Sequence, residues 1–439
     1  MATPVPMPSA VTTPAPLPIP SPAPGVPQSV TLQQAIDIAV AKSPVLAAAR
    51  ANYQLTQIPV QLARTGIFPN LSATASSSHS NSGTVAGRNS GSFTSKSLTA
   101  NLRQLIYDGG KVIAQIHQAR ANAVAGSGTY ERQLETLSLN VAQAYYFELQ
   151  AQATTQVDQQ LVRLNQANEA LVQAQVRTGV APRVDLITAH VPTVQAEVAL
   201  IQAQGTQASA LGAFANQLGL DANTLVKPIN NTPPNPATML VTVLPYDQAV
   251  TRALALRPDY LSAEQAVLAG QYNVQAMRAG HFPTLTGSAA YGTNSTTVNG
   301  TNFAPSSSVG LTLSIPIYDQ GITRAQVEQA LAELDLANAQ LSQTKLGVEL
   351  NVQQALVGVI SDQAAVVQTE AALAAAQESL RATQAQYKAG VTNLFSLLQA
   401  QTNLTSAETT ELTAVYTLRQ AEQTYIYALG ESSINPASP

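Results

Sequence analysis

Ile106-Tyr107-Asp108-Gly109-Gly110 returns as Ile317-Tyr318-Asp319-Gln320-Gly321, 211 residues further along the chain. Upstream of this motif, Phe68-Pro69 is answered by Phe282-Pro283, Ala35 by Ala249 and Pro44 by Pro258, each pair 214 residues apart. Downstream, Gly179-Val180 and Gly390-Val391, and then Leu218-Gly219 and Leu429-Gly430, keep the spacing of 211. Register is lost once, by three residues, inside a Ser/Thr/Gly-rich stretch. The chain is one pattern written twice. Two copies fall short of the roughly three repeats that a solenoid needs, so the duplication indicates one body of pseudo-twofold construction.

Each copy reads as helix, strands, very long helix, turn and return helix. Thr31 caps a short helix that runs to about Lys42, and Pro44 restarts it; Pro258 marks the same joint in the second copy. Prolines are missing from 110–176 and from 322–387, which at 1.5 Å per residue predicts rods of roughly 100 Å. In the second rod Val352, Val359, Val366, Leu373, Leu380 and Tyr387 stand seven apart, and Leu334, Leu341 and Val348 form another such row. Sustained heptads mean coiled-coil packing. The first rod is less regular, with Leu134, Leu137, Val141, Val157, Leu161, Leu164 and Leu171 as its expected seam. Each rod ends in a matched turn, Arg177-Thr178-Gly179-Val180-Ala181 and Lys388-Ala389-Gly390-Val391-Thr392. Glycine there is a helix C-cap in the left-handed region, and the basic residue suits the negative end of the helix dipole.

The polar stretches between helices read as β-hairpins. Val309, Leu311, Leu313, Ile315 and Ile317 alternate with Gly310, Thr312, Ser314, Pro316 and Tyr318, and Leu98, Ala100 and Leu102 alternate with Thr99, Asn101 and Arg103. Period two gives one apolar and one polar face. The apolar row 309–317 is expected to face lipid. The other strand of each hairpin is more polar.

Composition narrows the function. Only 10% of the 439 residues are charged and 5% aromatic, with no Trp, against about 25% charged in an ordinary globular domain. Net charge is −4 with no basic patch, which argues against a nucleic-acid partner. The absence of cysteine removes disulfides, thiolate metal sites and cysteine nucleophiles. Ten of the 26 prolines fall in residues 1–30, a polyproline-like segment without the basic and apolar regions of a signal peptide. No uninterrupted apolar run of about 18 residues occurs, so a membrane role is expected to use strands. His79, His117, His190 and His281 lie in unrelated segments without a catalytic or metal-ligand spacing, and Gly109-Gly110 is not followed by the Lys-Ser/Thr of a phosphate loop. Neither an enzyme nor a cofactor is expected.

Four strands cannot close a membrane barrel, which takes about eight, and unpaired edges in lipid are costly. Several chains must therefore contribute to one barrel continued by a helical tube. Here the chain resembles the TolC-like outer-membrane efflux channel family. The resemblance covers about residues 30–430 and rests on the duplicated Phe-Pro pair, the two Tyr-Asp corners and the two Gly-Val turns. It implies an α+β, mainly α protein: a homotrimer in which duplicated coiled-coil helices form a periplasmic α-barrel and four strands per chain build a composite β-barrel in outer-membrane lipid. It further implies a passive conduit of a tripartite efflux or type I secretion system, joined by a periplasmic membrane-fusion adaptor to an inner-membrane pump. The two turns then become adaptor-docking tips. Glu378 and Arg381, within three turns of the second tip, become candidates for the periplasmic aperture. Two departures stand out: no signal sequence is recognisable, and no cysteine is available for a lipid anchor.

The expected organisation is a Pro-rich segment 1–30, a first repeat 31–220 with hairpin about 70–106, long helix about 110–177 and return helix about 183–219, and a linker 221–243. A second repeat 244–430 follows, with hairpin about 284–318, long helix about 321–388 and return helix about 393–429, then a tail 431–439. The rival reading, a secreted or surface-anchored coiled-coil structural or adhesin protein, accounts for the heptads but not for two alternating hairpins at matching positions. A helical pore-forming toxin would need an apolar helical hairpin that this sequence lacks.

Overall fold

A computed structural model describes residues 27–80, 93–230, 237–297 and 304–431. The proline-rich start up to residue 26, the loop tips 83–91 and 299–303, Thr232-Pro233-Pro234-Asn235-Pro236 and the tail from 432 lie outside the described residues. In chain order the elements are β1 (Ser29–Val30), α1 (Leu32–Lys42), α2 (Pro44–Thr65), β2 (Asn70–Ser80), β3 (Phe93–Tyr107), α3 (Lys111–Arg177) and α4 (Arg183–Gln217). The second half holds β4 (Lys227–Pro228), α5 (Tyr246–Leu256), α6 (Pro258–Arg278), β5 (Thr284–Thr297), β6 (Ala304–Ser314), α7 (Ile322–Lys388) and α8 (Leu394–Leu429). α3 and α7 are each 67 residues long. No proline interrupts either one, and their glycines are few.

Two compact units emerge. The sheet unit comprises Ala48–Arg132 and Arg257–Val348; the helical unit gathers the described residues of Met1–Ala47, Gln133–Leu256 and Glu349–Pro439. In the sheet unit β2, β3, β5 and β6 form one antiparallel sheet in that order. A bulge between Leu105 and Tyr107 shifts the β3–β5 register just before the strand ends. Both Tyr-Asp corners are built alike. Asp108 accepts from the amides of Gly110 (3.0 Å) and Val112 (2.8 Å), and Asp319 from those of Gly321 (3.1 Å) and Thr323 (2.8 Å). Each carboxylate thereby satisfies amides that the first turn of α3 or α7 leaves open. The chain can turn so sharply because Gly109 and Gly110 take φ of 70° and 86°. A Cβ at Gly109 would come within 2.5 Å of Phe282, so the Phe-Pro motif of one copy packs on the corner of the other. Gln320, in the position matching Gly109, holds φ 57° without being glycine.

The helical unit has its core where α3, α4 and α8 meet the chain ends of both repeats. Phe214, Leu218, Val226, Leu418 and Tyr425 are buried there. β1 pairs in parallel with β4, Ser29 with Lys227 and Val30 with Pro228, and the Tyr145 hydroxyl donates to the Ile229 carbonyl at 2.5 Å. The end of the Pro-rich segment is thus an ordered strand, and the inter-repeat stretch 221–243 is more than a linker. Farther along that stretch the Leu240 amide donates to Glu422 (2.7 Å), and just beyond it the Leu244 amide donates to the Tyr425 hydroxyl (3.1 Å). Glu422 is itself paired with Arg419 at 2.9 Å, both side chains fully buried.

The α7 seam follows its heptads, with Val352, Val359 and Val366 fully buried and Leu380 nearly so. The expected α3 seam needs correction at Leu171, which is 49% exposed while Val172 is buried. Buried positions at heptad spacing are Val141, Glu148, Thr155 and Val162, and beside them Ala151, Asn165 and Val172. Polar residues occupy seam positions, which hides the period from an apolar count. A second correction concerns α4. It carries an 18-residue window long and apolar enough, by composition, to cross a membrane, because its apolar residues are interspersed rather than contiguous. Val184, Ile187, Val191, Val194, Val198 and Ile201, at alternating spacings of three and four, all stay exposed on it. That spacing is a seam for a neighbouring helix, not the all-round apolarity of a helix surrounded by lipid.

Candidate functional site

The cross-strand register sorts the sheet into two faces. On one, Leu71, Leu102, Ala289 and Val309 lie in a row, followed by Ala73, Ala100, Tyr291 and Ser307; Leu285 lies opposite Leu313 and Gly287 opposite Leu311. On the other, the rows run Asn70, Arg103, Ser288, Gly310 and then Ser72, Asn101, Ala290, Ser308. Thr74, Thr99, Gly292 and Ser306 continue the polar face. Such a sheet separates an apolar surrounding from an aqueous one. Val309, Leu311 and Leu313 share the apolar face and are 88%, 72% and 58% exposed. Ile315 and Ile317 do not continue the row, because β6 ends at Ser314. Pro316 has no amide to donate and terminates the ladder, so the two isoleucines are exposed on the connection to α7.

The tips are also built twice. Gly179 and Gly390 take φ of 77° and 72°. The Val180 amide donates to the Gln175 carbonyl and the Val391 amide to the Gln386 carbonyl, both at 2.9 Å, while the glycine amides donate to Val176 and Tyr387. This six-to-one and five-to-two pattern closes α3 and α7 with a left-handed cap. It leaves Val180 and Val391 projecting, each 76% exposed. Nothing lies within 4 Å of a Cβ built on either glycine, so the requirement there is backbone conformation alone. Arg177 and Lys388 are the last residues of their helices, and Thr178, Ala181, Ala389 and Thr392 complete the turns. The tips differ in how the next helix starts. Asn393 accepts from the Ser396 amide at 3.0 Å, whereas Pro182 offers no side-chain cap to α4.

Glu378 and Arg381 form an exposed i,i+3 pair on α7 at 3.4 Å, a contact worth about 0–1 kcal/mol. The histidines lie apart: His79 bonds Thr94, His117 stacks on Tyr272, His190 bridges α4 to Glu169 on α3 at 2.9 Å, and His281 sits in the turn before Phe282. Sequence reasoning missed Glu148 as a seam residue. It is 2% exposed, and one of its carboxylate oxygens has no partner. Burial pushes its pKa up to about 7, against the opposing effects of a Gln207 hydrogen bond and the Lys227 charge. Its spacing from Val141 and Val162 was the available signal.

These surfaces, an amphipathic open sheet and a capped hairpin tip in duplicate, coincide with the profile of a known family. The family model for outer membrane efflux proteins matches residues 35–220 and 249–431, both copies of the repeat. The chain belongs to the outer membrane efflux protein family. Among relatives, Outer membrane protein TolC of Salmonella enteritidis is 26% identical over 424 residues, spanning 92% of this chain and 82% of that protein. The solved structure of CusC aligns with a TM-score of 0.81 at 23% identity, covering 92% of each chain. The Campylobacter jejuni CmeC outer membrane channel aligns at 0.80 and 16% identity, covering 92% of this chain and 87% of that one. At these identities the two structures establish the fold: long helices of a helical barrel and strands of a composite β-barrel. As an outer membrane efflux protein, the chain is a channel component of the outer membrane with its helical domain in the periplasm, in a family of channels rather than enzymes.

Proposed function

We propose that three copies of this chain close a twelve-stranded barrel in outer-membrane lipid and act as a passive conduit. In this reading the six hairpin tips dock a periplasmic membrane-fusion adaptor, and through it an inner-membrane pump. The observation that carries it is the open sheet. β2 and β6 each pair on one side only among the described residues, while one face of the sheet is apolar. An unpaired edge in hydrocarbon leaves the amide and carbonyl of every second residue short of a partner at several kcal/mol apiece, so the edges must meet those of other copies. The exposed α4 stripe supplies a second reason for a lateral neighbour of the same chain. Gly179 and Gly390 place Val180 and Val391 as small apolar knobs suited to helical-hairpin ends of an adaptor. The repeat boundaries follow the same logic, each copy of 31–220 and 244–430 contributing one hairpin to the barrel and one to the tube. Glu378 and Arg381 remain candidates for the aperture, where three copies would ring the tube. A coiled-coil stalk leaves the amphipathic sheet without purpose. Mass measurement of the detergent-extracted protein tests the reading: three chains with single-channel conductance in a planar bilayer are expected, and a stable monomer without conductance overturns it.

A further inference from the structure

The four strands carry two formal charges, Lys96 and Arg103, and no Asp or Glu. Alternation along β3 puts them on opposite faces. Lys96 shares the side of Leu98 and Leu102, whereas Arg103 shares that of Thr99 and Asn101. Every neighbour of Arg103 across the strands is uncharged, Asn70 on β2 and Ser288 on β5, with Gly310 beyond. Arg103 is exposed, and among the described residues no carboxylate pairs with it. Its row lies at the sheet end that leads into the α3 corner at Asp108. The polar face of the sheet therefore offers hydroxyls, amides and one fixed cation.

We propose that Arg103 is a charge-selecting residue of the conduit, forming in the assembled protein a ring of three guanidinium groups that favours anionic over cationic solutes. The proposal rests on the trimeric-barrel reading above. Twelve strands about 4.8 Å apart and tilted about 40° enclose a wall of radius about 12 Å. The guanidinium projects inward from that wall, so the pore axis lies within about one Debye length of each at 0.1 M salt. Rings of Arg or Lys select anions in pores. No acidic residue on the strands opposes this ring. The solutes selected are small organic or inorganic anions; the hydroxyl-lined wall imposes no further chemistry.

The test is the reversal potential of single channels under a potassium chloride gradient, compared between wild type, Arg103→Ser, Arg103→Glu and Arg103→Lys. Arg103→Ser should lower the chloride-to-potassium permeability ratio about twofold or more near 0.1 M salt, and Arg103→Glu should lower it further. Arg103→Lys should keep the wild-type ratio. The differences should shrink toward 1 M salt, where the Debye length falls to about 3 Å. Conducting trimers with one permeability ratio in all four proteins would overturn the assignment of Arg103 and leave the conduit intact. Wild-type trimers that fail to conduct at all would overturn the conduit, and this inference with it.

Discussion

A single buried carboxylate shows how far one residue can bias the helical unit. Glu148 occupies a seam position of α3 at 2% exposure, and burial lifts its pKa from an ordinary 4.5 to about 7. A folded pKa above the unfolded one means that the folded form binds the extra proton between those two values. The stability tied to this proton is complete below pH 4.5 and is lost as pH rises through 7. Glu148→Gln should therefore raise the thermal midpoint at pH 8, by the equivalent of up to about 3 kcal/mol, and change little at pH 4.5. Melting the detergent-solubilised protein between those pH values checks this; a stabilisation equal at both ends would remove the titration from the account. The tips carry a second residue-scale prediction. Gly390 has φ 72° and donates its amide to Tyr387. Proline can supply neither, so Gly390→Pro should distort the turn and displace Val391. Outer-membrane level and trimer mass should stay normal while export fails, as read by solute susceptibility of a strain depending on this channel. Normal export at normal level would reduce the Gly-Val turn to a plain helix cap.

Among the elements, β6 and α3 record where a pattern in sequence stops being decisive. The apolar alternation of β6 runs to Ile317 by residue type, yet the strand ends at Ser314. Backbone donors build a ladder, and Pro316 lacks one. Val309→Arg, at the centre of β6 on its apolar face, and Leu311→Arg beside it should each cost up to about 2–4 kcal/mol, the penalty for a cation at the bilayer midplane. Both should reduce the amount of trimer recovered from the outer membrane. Thr312→Arg, on the opposite face, should assemble normally and change conductance; so should Ile317→Arg assemble, lying off the strand. Equal loss from Leu311→Arg and Thr312→Arg would show that the two faces have been exchanged. α7 was legible because Val and Leu recur at every seventh position. α3 was not, because Glu148, Thr155 and Asn165 occupy its seam and an apolar count passes over them. The neighbours that let those polar groups be buried, such as Gln207 on α4 and the Pro192 carbonyl that accepts from Asn165 at 3.1 Å, are distant in sequence.

For the whole molecule, the deciding quantity is how much surface one chain leaves uncovered. The α4 stripe from Val184 to Ile201 lies open to solvent along six helical positions. Val191→Asp with Val198→Asp would place six charges in the lateral contacts of a trimer, where unpaired buried charge is strongly destabilising. Monomers are expected by mass in detergent. Val180→Asp, at a residue even more exposed but on a tip, should stay trimeric. Trimers from both proteins would move the lateral contact away from α4.

The duplication, the turns, the joints at proline and the alternating faces were determined by sequence alone, since each depends on local backbone geometry or on a short period. Thr31, Asp108 and Gly179 do in the folded chain what their residue types do in any short peptide: cap, turn and stop. Tertiary structure alone decided the rest. The pairing of Ser29–Val30 with Lys227–Pro228 joins segments almost 200 residues apart through two rungs of backbone, with no side-chain pattern to announce it. The buried Arg419–Glu422 pair looks like an ordinary solvated i,i+3 pair in sequence. It becomes an anchor for Leu240 because the fold buries both side chains and brings the Leu240 amide to Glu422. Burial is a property of what lies opposite, and what lies opposite is set by the fold.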